Sequence, residues 1–567
     1  MKTNLMRQTV KRTDREKARS LTERTPNESK PEARCLSITE ARNSKNRYED
    51  VKNNASYRTF GLFGDPYLRP GIAGSAYDTA WLASVPADQE RRNSRFPSSL
   101  QWLVEHQLQD GSWGGAVRYE HDRILSTLAA LVPLATFGRR ATDRACVEAG
   151  VRYLWQHCHL LPTEPMELVG FELLLPTLIR RAQRAGISVP PNLDIYGVQR
   201  TEKLRLIPPA FLYSSKATIV HSLEFLGDEA DIAGLHSAQG VNGSIGNSPA
   251  ATAFFLAQND DPKAITYLNS CLNRTGGAVA PVLHPCETFE LLWAAYHLLL
   301  AGVPAALLLT ANEKAALREA LAAGGVSLSS TFPIPDADDT SVALILLHEL
   351  GEGVDASVLQ SFALSDGYFA SFPYERHSSV GVNLHVLHAL LRVPGYPDAR
   401  NTVERILEYL IDQQVAGLYW LDKWHISPYY ATAHALCVFA ELPPHLTTIM
   451  QPSTERSREW LRQTQNRDGS WGFYGRPTAE ETAYGILGLL AGGPGRLQER
   501  DVQRCAEAVR YLKATIDAND LDNDYVFPPL WIDKCLYAPT LIVSAVIEAA
   551  FTAYTRLLRG NDLRRRR

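Results

Sequence analysis

Three carboxylates lie within four positions of the sequence, at Asp336, Asp338 and Asp339, directly before a run of apolar residues. Carboxylates beside a segment that must be buried are costly unless they bind a metal, pair with a cation or keep a proton. Pro333 and Pro335 stop any preceding helix, and Asp336 is a favourable N-cap for a helix that begins here. The cluster is therefore predicted at the start of a buried helix, as a metal site or a proton donor.

Crowding and burial bear on that choice. Three adjacent carboxylates cannot all ionise cheaply, so at least one is expected to keep its proton near neutral pH. The helix N-terminus favours the anion by about 0.3–1 kcal/mol. Desolvation can raise a carboxyl pKa by roughly 3–5 units, which is the larger effect. For the motif alone, an acidic N-cap with solvated neighbours is the favoured interpretation, and the choice between a metal site and a proton donor stays open at this point.

Composition limits the class of protein. A chain of 567 residues predicts two or three domains, and 45% apolar with 21% charged residues is ordinary for a globular protein. The net charge of -4 gives no general attraction to nucleic acid. Eight scattered cysteines without a C-x-x-C pair favour a reduced, cytoplasmic protein. Every long apolar stretch is interrupted by charge, Gly or Pro, so we expect no stable membrane insertion.

The pattern of the chain predicts helices after a polar leader. Residues 1–58 are rich in Lys, Arg, Glu, Asn and Ser and are expected to be disordered. From about residue 75, apolar residues recur at three- and four-residue steps, for example in 124–132, 289–300 and 480–490. Many such segments joined by short Gly/Pro/Asp loops indicate an all-α fold.

One repeat stands out in these loops. Q-L-Q-D-G-S-W-G at 107–114 returns as Q-N-R-D-G-S-W-G at 465–472, and 413–420 is a degenerate third copy. Asp-Gly supplies a left-handed turn, and Trp a large planar surface. We interpret the repeats as structural staples between stacked helices rather than as chemistry.

The repeats resemble the QW motifs of triterpene cyclases and class II diterpene cyclases. D-A-D-D at 336–339 matches the D-x-D-D motif of these enzymes, and S-A-Y-D-T-A-W at 75–81 resembles a signature of diterpene cyclases such as copalyl diphosphate synthases. The resemblance implies two α/α-barrel domains, called β and γ, with the active site between them and no class I α domain. It divides the chain into an N-terminal part of β at 59–95, γ at 96–302 and the main part of β at 303–560.

The resemblance also assigns roles. It implies that Asp338 is the general acid that protonates an alkene, held and polarised by Asp336 and Asp339 through hydrogen bonds. The cation that follows needs aromatic walls, for which the sequence offers candidates without separating lining from core: Phe289, Trp293, Tyr374, Trp420, Trp424 and Tyr429. Asn383 and His385 are either supports of the acid or ordinary core polar groups.

Substrate binding is implied in the same way. Lys203 and Lys423 align with lysines that hold the diphosphate in plant relatives, and Lys suits phosphate as a compact charge. Glu164 and Glu167 occupy the stretch that binds Mg²⁺ in the family, and hard oxygen ligands suit that ion.

Termination is where the sequence departs from the family pattern. His221, in V-H-S, corresponds to the histidine of a water-holding His–Asn pair in plant enzymes that make ent-copalyl diphosphate, and it is the candidate base. Val282 stands where that pair needs Asn, and Val cannot hold a water. The product is therefore open between ent and other stereoisomers or rearranged skeletons.

The sequence thus predicts an enzyme that cyclises geranylgeranyl diphosphate to a bicyclic copalyl-, halimadienyl- or clerodane-type diphosphate, which a downstream class I terpene synthase would consume. Three alternatives stay open: a farnesyl diphosphate cyclase with a drimenyl-type product, a metal-dependent enzyme that ionises the diphosphate, and a non-catalytic helical scaffold.

Overall fold

The computed structural model describes residues 71–90, 92–519 and 527–565. The predicted leader at 1–58 lies outside the described residues. Within them helices dominate, as predicted, and the strands are two-residue pairs.

The first half of the chain forms a ring of helices. Helix α1 packs against α3 and α9, α3 packs against α5, and a 3₁₀ segment at Thr218–Glu229 joins α5 to α9 and so closes the ring. The helices of this half are α1 (Ala76–Ala83), α2 (Pro97–Glu105), α3 (Glu120–Phe137), α4 (Ala141–His157), α5 (Phe171–Arg184), α6 (Gly197–Leu206), α7 (Pro209–Leu212), α8 (Ile232–Leu235), α9 (Pro249–Gln258) and α10 (Pro262–Arg274).

The second half repeats this plan. Helices α11, α13, α14, α16, α18 and α20 contact one another in that order, and α20 returns to α11, while α12, α15, α17 and α19 pack outside. The helices are α11 (Glu287–Leu300), α12 (Ala311–Ala322), α13 (Ala337–Glu349), α14 (Val380–Arg392), α15 (Ala399–Gln413), α16 (Pro428–Phe439), α17 (Pro444–Thr464), α18 (Ala479–Leu490), α19 (Asp501–Asn519) and α20 (Thr540–Arg565). The predicted pair of α/α barrels is confirmed.

Two short antiparallel pairs lie between the rings. Strand β1 (Gly74–Ser75) pairs with β2 (Ala280–Pro281), and β3 (Trp531–Ile532) pairs with β4 (Leu536–Tyr537). The β3–β4 hairpin comes directly before α20, and it carries the second ring's chain against the first ring, where Leu536 N–H donates to Asp122 at 3.1 Å.

Helix packing differs from the predicted domain division in two places. Helix α1 was assigned to the N-terminal part of β, yet it packs on α3 and α9 inside the first ring. Helix α11 was assigned to γ, yet it packs on α13 and α20 inside the second ring. The division therefore falls before α11. Every residue from 290 to 298 is buried, so this helix must lie inside a ring, and only contacts distant in sequence decide which one.

The repeats are staples, as predicted. The backbone N–H of Trp113 donates to Thr127 Oγ1 at 3.0 Å, and its indole N–H donates to the Leu103 carbonyl at 2.7 Å. Trp471 makes the same pair of bonds, to Thr482 Oγ1 at 3.1 Å and to the Leu461 carbonyl at 3.0 Å.

The degenerate copy behaves alike. Trp420 N–H donates to Thr432 Oγ1 at 3.1 Å, and its indole donates to the Leu410 carbonyl at 2.7 Å. Each repeat thereby ties the end of an outer helix to the start of the next inner helix.

Helix α20 is the one described helix whose length and composition would allow a membrane span, over Thr540–Arg559. Of its most apolar window, 56% is buried inside the protein, where α20 packs on α11 and α18. Its apolar character is thus used in packing the second ring.

Candidate active site

A cavity lies where the two rings meet. Its empty volume, including the space open to solvent at its mouth, is about 920 Å³. Both rings contribute to its wall: Val169, Thr218 and His221 come from the first, while the acidic cluster and most of the aromatic residues come from the second.

The acidic cluster opens helix α13 at this cavity. Asp336 is the N-cap, as predicted, and its Oδ1 accepts the Asp339 backbone N–H at 2.7 Å. Asp336, Asp338 and Asp339 all line the cavity. Burial, followed by the charge of Asp338, raises the pKa of Asp339 to about 7. Burial and the charges of its two neighbours raise that of Asp336 well above its usual range.

The hydrogen bonds within the cluster differ from those predicted. Asp338 Oδ1 lies 2.7 Å from His385 Nδ1 on α14, rather than being held by the two neighbouring carboxylates. Burial raises the pKa of Asp338, and the bond to His385 offsets part of that rise. Neither carboxyl oxygen of Asp339 has a hydrogen bond of normal geometry among the described residues, although the side chains of Asp336 and Trp293 lie near enough to offset part of the rise in its pKa. A carboxyl in that position is stable only when it keeps or shares a proton.

Two further imidazoles follow His385 into the core, and sequence analysis did not predict these contacts. His385 Nε2 lies 2.9 Å from His434 Nδ1, and His434 Nε2 lies 3.1 Å from His297 Nε2. This series of hydrogen-bonded side chains ends at Tyr484, whose Oη lies 3.3 Å from His297 Nε2. Burial lowers the pKa of His297 to about 3 and that of His434 well below its usual value, so both rings are neutral. A neutral imidazole donates from one nitrogen and accepts at the other, so each ring orients the next.

Asn383, the other candidate support, is a satisfied core group. Its amide bonds the backbone of Phe369 and Ser379. The spacing of Asn383 and His385 on one helix could not separate these two roles, because the partner of His385 comes from another helix.

Aromatic side chains form most of the cavity wall. Among the predicted candidates, Phe289, Trp293 and Trp424 line it. Trp420 and Tyr429 are buried in the core instead, and Tyr374 is 93% exposed. The sequence did not identify the remaining aromatic lining, which comprises Phe332, Phe372, Tyr430, Trp531 and Tyr537.

The turn of the β3–β4 hairpin brings a buried lysine to the seam between the rings. Lys534 Nζ lies 3.0 Å from Glu224 Oε1 and 3.8 Å from Asp78 Oδ1, and it also donates to the His221 carbonyl at 3.0 Å and to Ser248 Oγ. Asp78 belongs to the S-A-Y-D-T-A-W segment, whose Tyr77 also donates to Glu224 at 3.0 Å. That segment therefore holds the ammonium group that fixes the hairpin.

His221 lies at the cavity wall, and both of its nitrogens are engaged. Nδ1 is 2.8 Å from the Gly246 carbonyl, and Nε2 is 3.0 Å from Oδ1 of Asp533 in the hairpin turn. Burial opposes its charge, yet Asp533 raises the pKa of His221. Burial likewise opposes charge on Asp533, but His221 and Lys534 lower its pKa. The two residues form an imidazolium–carboxylate pair, and sequence reasoning missed Asp533 because it lies 312 positions from His221.

The predicted diphosphate lysines are both paired with glutamates. Lys203, 45% exposed, contacts Glu172, and Lys423 contacts Glu375. Lys423 Nζ also lies 5.0 Å from the ring centroid of Trp424, which lines the cavity. Neither lysine is itself part of the cavity lining, and the contact with Trp424 places Lys423 beside that lining.

The predicted magnesium ligands do not form a closed metal site. Within the described residues no group of three His, Cys, Asp or Glu side chains could hold a metal ion. Glu164 accepts the Glu120 N–H at 3.4 Å, and Glu167 accepts the Tyr196 hydroxyl at 2.8 Å. Burial raises the pKa of Glu167, which disfavours the anion that Mg²⁺ requires.

Comparison with known proteins bears on the whole arrangement. Residues 376–527 match the family model of the squalene-hopene cyclase C-terminal domain. The chain is 30% identical over 520 residues to a type B diterpene cyclase of Mycobacterium tuberculosis, covering 87% of this chain and 98% of that protein. It is 32% identical over 519 residues to an ent-copalyl diphosphate synthase of a Streptomyces species, covering 88% and 94%.

Two further comparisons agree with these. A labda-7,13-dienyl diphosphate synthase of Streptomyces clavuligerus is 32% identical, with 89% of this chain and 93% of that protein covered. The solved structure of an ent-copalyl diphosphate synthase from Streptomyces platensis superposes with a TM-score of 0.70 at 27% identity, over 88% of this chain and 99% of that one.

Proposed function

This chain belongs to the class II diterpene cyclases, and within that family we propose that it converts geranylgeranyl diphosphate into a bicyclic diterpenyl diphosphate whose diphosphate is retained. The observation that carries the proposal is Asp338, which lies at an aromatic-walled cavity between the two barrels and is hydrogen-bonded by His385.

The first step is protonation of the terminal alkene. The π-electrons of the alkene form a new C–H bond with the proton of Asp338, and the electrons of the broken O–H bond stay on the carboxylate. The positive charge develops on the neighbouring alkene carbon. Burial raises the pKa of Asp338, which favours the protonated form that this step needs. His385 then holds the carboxylate that remains, so the charge left behind is not unpaired.

Ring closure needs a cavity that is dry and rich in π-electrons. Trp293, Trp424, Tyr430 and Trp531 line the same cavity as the acid. Aromatic faces attract cations by about 0.5–2 kcal/mol each without forming a bond to them. They therefore stabilise the migrating charge and exclude the water that would end the reaction early.

We propose a C20 rather than a C15 substrate because the relatives with which the chain shares most of its length are named as a diterpene cyclase and an ent-copalyl diphosphate synthase. The diphosphate would stay at the rim, where Lys203 and Lys423 could exchange their glutamate partners for phosphate oxygens. Magnesium accompanying the diphosphate remains a prediction; no step depends on it here, and titration of chelator-treated enzyme with Mg²⁺ tests it.

The test is to incubate the purified protein separately with geranylgeranyl and farnesyl diphosphate. Products are then identified with and without phosphatase treatment. The proposal expects a bicyclic C20 alcohol that appears only after phosphatase. Release of inorganic pyrophosphate with a hydrocarbon product, or turnover of the C15 substrate alone, would contradict it.

A further inference from the structure

Cyclisation ends when a carbon next to the final cation loses a proton, and a group on the cavity wall must accept it. The titratable lining residues in the part of the chain that the structure describes are the three aspartates of the cluster, Tyr430, Tyr537, His221 and Asp533. The cluster lies where the reaction begins and retains protons. Burial raises the pKa of both tyrosines well above the usual value, so they stay neutral phenols. His221 and Asp533 remain.

The hydrogen bonds of His221 decide between these two. A carbonyl oxygen only accepts, so Nδ1 must carry the hydrogen that it donates to Gly246. Nε2 and Asp533 Oδ1 are 3.0 Å apart and share one hydrogen between them. In either arrangement of that hydrogen, His221 has no lone pair directed at a substrate.

The second carboxylate oxygen of Asp533, Oδ2, is the other candidate acceptor. Its Oδ1 is occupied by His221 and by the Lys534 backbone N–H at 2.6 Å. No donor in the described part of the chain is bonded to Oδ2. Oδ2 is also not one of the fully buried polar atoms that lack a partner in that part of the chain. The side chain lines the cavity and is 14% exposed. Its second oxygen is therefore a carboxylate acceptor available to the cavity.

We propose that Asp533 is the base that ends cyclisation and that His221 is a positioning residue for it. The C–H bond next to the cation breaks, its electrons form the new double bond, and the proton forms an O–H bond at Asp533 Oδ2. A carbon acid beside a cation is so strong that a carboxylate with a lowered pKa suffices. The proton leaves to solvent when the product leaves.

The scaffold around Asp533 suits this role. The next residue, Lys534, is clamped by Glu224 and Asp78 of the first ring, so the turn that carries Asp533 cannot shift freely. Asp533 and the acid Asp338 thus enter one cavity from two elements of the second ring, one before α20 and one at the start of α13. Initiation and termination are assigned to different carboxyl groups.

This inference rests on the proposed function, and its test is read only from enzyme that cyclises. Asp533→Asn keeps the shape but removes the acceptor, Asp533→Glu keeps a carboxylate, and His221→Gln removes the imidazole alone. Asp122→Asn is the matched control, because Asp122 binds the same hairpin through Leu536 N–H outside the cavity. Folding of each variant is checked by its melting curve.

We expect Asp533→Asn to consume substrate but to make the original double-bond isomer at least 10-fold less, replaced by other isomers or by a hydroxylated diphosphate. Asp533→Glu restores part of the original isomer, His221→Gln lowers its share by less than Asp533→Asn does, and Asp122→Asn keeps it as the main product. The original product spectrum from folded Asp533→Asn, or a larger loss of the original isomer in His221→Gln than in Asp533→Asn, overturns the proposal. If Asp533→Asn does not fold, a product from Asp533→Glu identical in ratio and rate to that of Asp533 overturns it, and a slower, altered mixture supports it. Failure of the unaltered enzyme to cyclise would instead refute the proposed function.

Discussion

His385 Nδ1 lies 2.7 Å from Asp338 Oδ1, across the gap between two neighbouring inner helices of the second ring. The imidazole is fully buried, and the carboxyl is 14% exposed at the cavity. Asp338 therefore has one oxygen fixed by the protein, which leaves the other for the substrate.

Replacing His385 by Gln is expected to slow cyclisation without changing the product. The loss of a hydrogen bond to a charged group costs about 1.5–3 kcal/mol, or about 10- to 100-fold in kcat. His388→Gln is the matched control, because His388 is equally buried on the same helix but bonds Tyr296 and Glu441. Steady-state kinetics and product analysis of both variants check this. Equal rate losses in the two variants would count against a specific role of His385.

The acidic cluster predicts how activity and stability depend on pH. The pKa of Asp339 is about 7 in the folded protein, and burial is the main cause. Because this pKa is raised, the folded state binds more protons than the unfolded one between about pH 4 and 7. The free energy of unfolding contributed by Asp339 is therefore lost as pH rises through that window.

Asp339→Asn removes this dependence. Relative to the unaltered protein, the variant should gain stability from pH 5 to pH 8, by roughly 2–3 kcal/mol, because about two pH units of the window lie above pH 5. Urea unfolding at the two pH values measures the difference. We expect the high-pH limb of kcat/KM near pH 7 in the unaltered enzyme and expect it to shift in the variant. A constant stability difference across the range would show that Asp339 is ionised in the folded state.

The glutamines of the repeats are expected to stabilise the fold without affecting the reaction product. The amide of Gln465 donates to the carbonyls of Gly469 at 2.9 Å and Arg504 at 3.0 Å, which joins two outer helices. Gln465→Ala should cost about 1–3 kcal/mol and lower the melting temperature with the product unchanged. The exposed Gln463, two residues away, is the control for substitution on this helix. A changed product from Gln465→Ala would mean that the repeat does more than join helices.

The rim lysines are expected to act on binding. Lys423→Gln should raise KM for the diphosphate about 10-fold with a smaller change in kcat, since a charged hydrogen bond of roughly 1.5–3 kcal/mol is lost. Lys203→Gln should do the same. Lys263→Gln, on an exposed face of α10, is the charge-matched control. If KM rises equally in all three variants, only the net charge matters and neither rim lysine is a specific ligand.

Sequence analysis correctly predicted the features that depend on short-range patterns. The helix beginning at Asp336 and the repeats around Trp113 and Trp471 were predicted correctly, because capping and turn chemistry act within a few residues. The contacts that complete the site were missed because they join distant segments. Asp338 and His385 are 47 positions apart, and His221 and Asp533 are 312 apart. Nothing in their local sequence indicates those partners.

The domain division failed at α11 for the same reason. Its apolar pattern suits either ring, and only its packing on α13 and α20 assigns it to the second. The prediction of His221 as the base was incomplete for the same reason. His221 was correctly placed at the cavity, but its engaged nitrogens depend on Gly246 and on a hairpin near the end of the chain.

The central claim is that Asp338 starts the reaction by protonating the substrate, and deuterium uptake tests it most directly. The reaction is run in D₂O with the unaltered enzyme and with Asp338→Asn, and the dephosphorylated product is analysed by mass spectrometry. We predict a single non-exchangeable deuterium in each product molecule and, for Asp338→Asn, a rate lower by about 10²–10⁴-fold. A cyclised product without deuterium, or normal turnover by folded Asp338→Asn, would contradict the account.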